Sequence, residues 1–216
     1  MTRLEVDTTP RAMLTAAAPL AKLKTAGVYG LPSPPDSPML LTKAAVDAVE
    51  VTAEMEAEAR RLSSAEAVSW ERFKQLVDAK NLKPLGRSYA MQVTYEQHKI
   101  QMLREYGSIA NYLINYALAE FIAETKTDSF DAGAALAVGD FMFRANDFPY
   151  HLCDNVEHWV LWCKKRLVPG FEAPAAAVEA IEQRFGRDVQ WRYFVNPVHR
   201  QSVPQLSHAH VFIKRT

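Results

Sequence analysis

Apolar and polar positions follow a helical period over most of the chain and a strand period near its end. Met39 to Leu62 is rich in Ala, Glu and Leu, all strong helix formers. Ser63 and Glu66 have the spacing of a capping box, and Trp70, Phe73 and Val77 then fall on one helix face. KPLGR at 83–87 stops that helix. Ser88 to Tyr106 reads as a third helix and Ser108 to Thr125 as a fourth, with Gly107 between them. On the fourth, Tyr112, Asn115, Tyr116, Ala119 and Glu120 mix polar and apolar groups. The character changes after Gly139. NDFPY at 146–150 is turn chemistry. VEHWVLWC at 156–163 is a compact apolar run, helix or buried strand, and periodicity does not decide between them. Ala175 to Phe185 reads as helix. WRYFV at 191–195 and HAHVFIK at 208–214 alternate and are aromatic and β-branched, so both read as strands.

These elements predict an α+β fold, mainly helical. A helical body over 39–138 leads into a small sheet-containing part over 139–216, within one domain. Residues 1–38, which include LPSPPDSP at 31–38, read as an N-terminal arm or linker.

The 216 residues suffice for a sizeable core without disulfides or a structural metal. Lys plus Arg and Asp plus Glu are both 25, which argues against a general nucleic-acid binder. A local surplus remains: from Tyr150 onward there are nine Lys/Arg, six acids and five of the six histidines. The two cysteines, Cys153 and Cys163, form no CxxC, so a reducing, cytoplasmic setting is expected. No apolar run approaches the roughly 18 residues of a membrane span, and the N-terminus has no clean signal-peptide core.

The chemistry therefore concentrates between Asn146 and His210. Asp154 and Glu157, three apart, share a face if their segment is helical. Such a pair suits binding a guanidinium or accepting a proton from an amine; favouring a helix N-terminus is the structural alternative. His208 and His210, two apart on a strand, point to one face, which suits metal ligation, acid–base work or nucleophilic work. The alternative is a pair of core-edge histidines bonded to backbone. Asn146, Asp147, Tyr150 and His158 could contact a substrate, although Asx-type loop bonds explain the first two and packing explains His158. Asn196 and Ser202 could donate to a substrate carbonyl. Lys164, Lys165 and Arg166 would suit a phosphate backbone or, alternatively, a helix C-terminus. Cys153, near His151, could serve as a nucleophile. No metal-ligand set is recognisable, and no cofactor is expected.

Six separated blocks carry a resemblance: SWERFK (69–74), LGRS (85–88), YGSIANYL (106–113), NDFPY (146–150), VEHWVLW (156–162) and FVNP…SV…HAHV (194–211). Over roughly residues 65–214 they resemble the fungal N-acetylglucosamine-induced protein family, a domain of unknown function. One branch associated with that family is the arginine-containing cyclodipeptide synthases, marked by Asp-Asp-x-x-Glu. Here that stretch is Cys153-Asp154-Asn155-Val156-Glu157, with Cys in place of the first Asp. The resemblance implies an enzyme that joins two aminoacyl groups, one of them arginyl, from aminoacyl-tRNAs. It implies Glu157 and Asp154 as catalytic carboxylates, and Lys164, Lys165 and Arg166 would contact tRNA. QSVPQLSHAHV also loosely resembles the strand of histidine-triad nucleotide hydrolases and transferases, with Phe212 where a third histidine would stand. A non-enzymatic sugar-response protein is the third expectation.

Overall fold

The computed structural model describes residues 49–124, 135–153 and 155–215. The predicted arm over 1–38, the first part of the predicted first helix, and Asp154 lie outside these residues.

Helix α1 spans Ala53–Leu62, with the Thr52 hydroxyl accepting from the Met55 N–H at 3.3 Å. Helix α2 spans Trp70–Asp78 and is capped by Ser69, not by Ser63, which instead ends α1. The expected capping box does not form because 64–69 is used otherwise. Val68 makes a parallel bridge to Leu152, donating to the His151 carbonyl and accepting from the Cys153 N–H. Extended pairing of Val68 is incompatible with helical dihedrals there. Helix α3 spans Tyr89–Tyr106, starts at the Ser88 cap and stops at Gly107, whose φ of 75° is left-handed. Each such cap contributes about 1 kcal/mol.

The expected fourth helix is broken. Helix α4 is Ile109–Tyr112, a π-helical turn covers Leu113–Ala117, and α5 is Ala119–Ala123. π turns recur at functional sites because they widen the helix and redirect side chains.

The sheet has four antiparallel strands in the order β1-β2-β4-β3. They are β1 Phe141–Ala145, β2 Val156–Cys163, β3 Gln190–Phe194 and β4 His208–Lys214. The ambiguous 156–163 run is thus a central strand, and β1 was not foreseen. Helix α6, Ala175–Phe185, joins β2 to β3. This is an α+β fold.

Both faces of the sheet are covered, and each packs differently. Ala177, Ile181 and Phe185 of α6 pack with Leu161, Tyr193, Val211 and Ile213 in one cluster. On the opposite face, Phe212 and Phe194 meet Trp70, Phe73 and Val77 of α2. Phe73 has no exposed surface and lies 4.5 Å from the Phe212 ring. Farther along that face, Trp162 joins Leu113 and Leu118 from the broken-helix region. Burying one such large aromatic contributes roughly 1.5–3 kcal/mol.

Candidate functional site: a histidine chain on one sheet face

Strand register decides which side chains meet. In the β2–β4 pair, His158 lies opposite Phe212, Val160 opposite His210, and Trp162 opposite His208. Opposed residues share a face, so all three histidines point the same way. Glu157, one residue earlier, pairs with Ile213 and faces the other side.

His158 and His210 are buried and directly bonded, His158 Nε2 to His210 Nδ1 at 2.9 Å. Their proton order follows from the surroundings. The Tyr150 N–H donates to His158 Nδ1 at 3.1 Å, so the His158 proton sits on Nε2. Nε2–H then donates to His210 Nδ1, which puts the His210 proton on its Nε2. The side-chain amide of Asn196 lies 3.0 Å from that atom, and Asn196 Oδ1 is buried without a partner. The proton count requires the amide oxygen, not the amino group, to face His210, and that orientation also satisfies the oxygen. A one-way chain results: Tyr150 N–H to His158 to His210 to Asn196.

The NDFPY loop builds the start of this chain. Asn146 donates its backbone N–H to the His158 carbonyl at 2.8 Å and accepts the Phe148 N–H on Oδ1 at 3.0 Å. This Asx turn sets its amino group beside the His158 ring, 3.1 Å from Nε2 and 3.4 Å from Nδ1, two atoms already engaged by His210 and Tyr150. The Tyr150 ring covers His158 and His210, at 4.9 and 5.6 Å between centroids.

Burial first, then neighbouring positive or imidazole groups, holds both histidines well below the usual imidazole range, so they are neutral at pH 7. One of these neighbours is Arg87. Its Nε donates to the Phe148 carbonyl at 3.0 Å, Nη1 donates to Gln92 at 3.1 Å, and the guanidinium lies 3.8 Å from the Tyr95 ring centroid. Gln92 passes the contact to Glu96 at 2.8 Å, and Glu96 pairs with Lys99 at 2.6 Å. Burial lowers the Arg87 pKa, opposed by Tyr95, Tyr150 and Glu96.

His208 differs from the other two. Its Nδ1–H donates to the Leu206 carbonyl at 2.8 Å, leaving Nε2 as a lone pair. Burial lowers its pKa, and the Leu206 bond opposes that. The Trp162 ring is 5.0 Å away, and the indole Nε1–H is buried without a partner. On the same side, His98 of α3 packs on Phe148 at 4.8 Å, and burial and Arg144 bring its pKa down to about 4. Arg144 pairs with Asp147 at 3.6 Å, and burial raises the Asp147 pKa.

Of the predicted site residues, the structure brings together Asn146, Tyr150, His158, Asn196 and His210, with His208 beside them. Asp147 belongs to the same loop. Ser202 is exposed. Glu157 is absent from this group: it accepts from Trp159 Nε1 at 2.8 Å and from Arg215 Nε at 2.5 Å. The shared helix face expected for Asp154 and Glu157 does not exist, since β2 begins at Val156. Lys164 pairs with Glu124 at 3.1 Å and Lys165 with Asp140 at 2.9 Å; Arg166 is exposed. The three follow a strand, so the helix-end alternative fails as well. Cys153 is half-buried and Cys163 is buried. Sequence reading missed Arg87, His98, Arg144 and Trp162. The available signal was the run of polar residues along α3, of which Gln92, Glu96, Gln97 and Gln101 are buried.

Fold and site together define an α+β protein whose four-stranded sheet carries a neutral imidazole chain on the face that packs against α2. The chain belongs to the family described as protein of unknown function DUF3605, matched over residues 69–214. It is 30% identical to the uncharacterized protein YPL067C of Saccharomyces cerevisiae, over 69% of this chain and 80% of that one. It is 21% identical to N-acetylglucosamine-induced protein 1 of Candida albicans, over 71% of each. The crystal structure of HTC1 matches with a TM-score of 0.49 at 26% identity, over 69% of this chain and 86% of that chain. Among the described residues, no helix is long and apolar enough to cross a membrane.

Proposed function

We propose that this protein is an aminoacyl-tRNA-dependent acyl transferase that makes an arginine-containing cyclic dipeptide, with His208 as its proton acceptor. The observation that carries the reading is the fixed tautomer of His208: Nδ1–H is held by the Leu206 carbonyl and Nε2 is a free lone pair. Peptide-bond formation from an aminoacyl ester needs no further activation. The α-amine of one aminoacyl group attacks the ester carbonyl of the other, a C–N bond forms, and the C–O bond to the ribose breaks. The amine proton passes to Nε2 and then to the departing ribose oxygen. Repetition in the reverse sense closes the ring. A base that is neutral at pH 7 suits this step. Asp147, loosely paired with Arg144, offers a carboxylate to an arginyl guanidinium.

The test is incubation with Arg-tRNA and a second aminoacyl-tRNA under mass-spectrometric detection. A cyclic dipeptide is expected from the wild type and from Glu157→Gln, and none from folded His208→Ala. Absence of product with every partner amino acid overturns the reading, and so does full activity in His208→Ala.

The shared face of His208 and His210 favours a second reading, a histidine-triad-like nucleotide or phosphoester hydrolase or transferase. Phe212 occupies the third place and stacks on His158 at 4.1 Å. His208-dependent phosphoester cleavage without cyclic dipeptide would establish it in place of the first.

A further inference from the structure

Next to the Asn196 end of the histidine chain, a cavity of about 600 Å³ opens between the end of α2, the 169–171 segment and the loop after β3. Its size falls within the roughly 300–1,000 Å³ typical of small-molecule sites. Its wall includes Lys80, Lys83, His199, Arg200, Phe171 and Pro197, and among the described residues no carboxylate lines it. Nearby cations outside this wall are neutralised: Lys74 pairs with Glu71 at 2.8 Å and Arg192 with Asp78 at 3.1 Å. Lys80 and Lys83 form no ion pair with any described carboxylate. Arg200 is held in place by two backbone carbonyls, donating to Leu82 at 2.8 Å and Leu85 at 3.3 Å. Those bonds fix the guanidinium but leave its charge uncompensated by any described acid.

Lys80 also occupies an unusual backbone position. The end of α2 is a complete Schellman motif: Asn81 N–H donates to the Leu76 carbonyl at 2.8 Å and Lys80 N–H to the Val77 carbonyl at 2.9 Å. In that motif Lys80 takes the left-handed position, with φ 56°, where glycine is favoured. A lysine there carries a conformational cost that glycine would not. The same bonds occupy two of the carbonyls at the negative end of α2, so the helix terminus presents fewer bare oxygens to an anion.

We infer that this cavity binds a nucleoside phosphate, with Lys80, Lys83 and His199 around the phosphate and Phe171 against the base. The inference goes beyond the proposed acyl transfer and stands without it. The aromatic ring supplies a stacking surface that any base can use, and the unpaired ammonium groups supply the charge.

Titration calorimetry with AMP, adenosine and inorganic phosphate tests the assignment on the full chain. AMP is expected to bind tighter than either fragment, and its affinity should fall as salt screens the exposed lysines over about 10 Å at 0.1 M. The double variant Lys80→Gly/Lys83→Gln should lose about tenfold or more in AMP affinity through loss of two charges. Its melting temperature should hold or rise, because glycine relieves the left-handed position. Equal affinity of AMP and adenosine overturns the phosphate site, and equal affinity of AMP and inorganic phosphate overturns the nucleoside part. Unchanged AMP binding in the folded double variant, or no AMP binding by the wild type at millimolar concentration, overturns the whole assignment.

Discussion

Acidification from pH 7 to pH 5 should destabilise the fold through the histidine chain. His158 and His210 are held neutral far below the ordinary imidazole range by burial, with each other or His208 and Arg87 adding repulsion. In the unfolded chain both titrate near the ordinary imidazole value of about 6.5. The unfolded state therefore binds more protons throughout this window, and linkage makes stability fall as pH falls. The contribution is fully present above the unfolded pKa and is lost on the way down toward the folded one. For a histidine that stays neutral when folded, the loss between pH 7 and pH 5 is about 2 kcal/mol, so the pair accounts for about 4 kcal/mol. His98, brought down to about 4, loses its share over the window between about 6.5 and about 4. Carboxylates with lowered pKa, such as Glu157 and Asp140, lose their contribution below this range. The roughly 4 kcal/mol from the pair alone is a large part of the 5–15 kcal/mol typical of a domain. Urea unfolding followed by circular dichroism at pH 7, 6 and 5 measures the change. Nitrogen-edited imidazole spectra provide a check that needs no mutation: both rings should show a protonated Nε2 and no titration down to pH 5. Equal unfolding free energies at pH 7 and pH 5 would refute the reasoning, as would native titration of either ring near 6.5.

Other expectations concern the scaffold. Phe73→Ala removes a fully buried ring packed on Trp70 and Phe212; a loss of about 3–5 kcal/mol in urea unfolding is expected, and a loss near zero would mean the cavity collapses. At Gly86, an added Cβ would stand 2.7 Å from the Leu62 carbonyl oxygen and 3.2 Å from the Ser64 nitrogen, both backbone. Gly86→Ala should therefore cost about 1–3 kcal/mol through overpacking, and an unshifted melting temperature would contradict that. Burial pushes the Cys163 thiol up to about 11. In the native protein at pH 8 a thiol reagent should label the half-buried Cys153 first, with Cys163 following only on unfolding.

Much of the fold was legible because local pattern and tertiary role agree. Alternation in 208–214 marks a strand with one face on α6 and the other on α2, and Ser88 and Gly107 bound α3 in both readings. Legibility fails where tertiary pairing overrides local preference. Ser63 and Glu66 have capping spacing, yet the bridge between Val68 and Leu152 holds that stretch extended. The fourth helix runs on in composition, but the chain widens at Leu113–Ala117.

The site shows the same dependence more sharply. A spacing of three residues unites side chains on a helix and separates them on a strand, so the pairing of Asp154 with Glu157 rested on a helix that β2 replaces. The spacing of two between His208 and His210 survives because a strand was expected there. Nothing local indicates that His158, fifty-two residues away, is bonded to His210; that follows from the β2–β4 register. Gln92 and Glu96, two of the buried polar residues of α3, then acquire a reason. Gln92 and Glu96 hold Arg87, and Arg87 holds the Phe148 carbonyl in the loop whose Tyr150 N–H sets the direction of the proton chain. The Gln92–Glu96 part of the polar face of α3 is therefore a consequence of the site it supports: apolar residues there would leave Nη1 of the buried guanidinium without its acceptor.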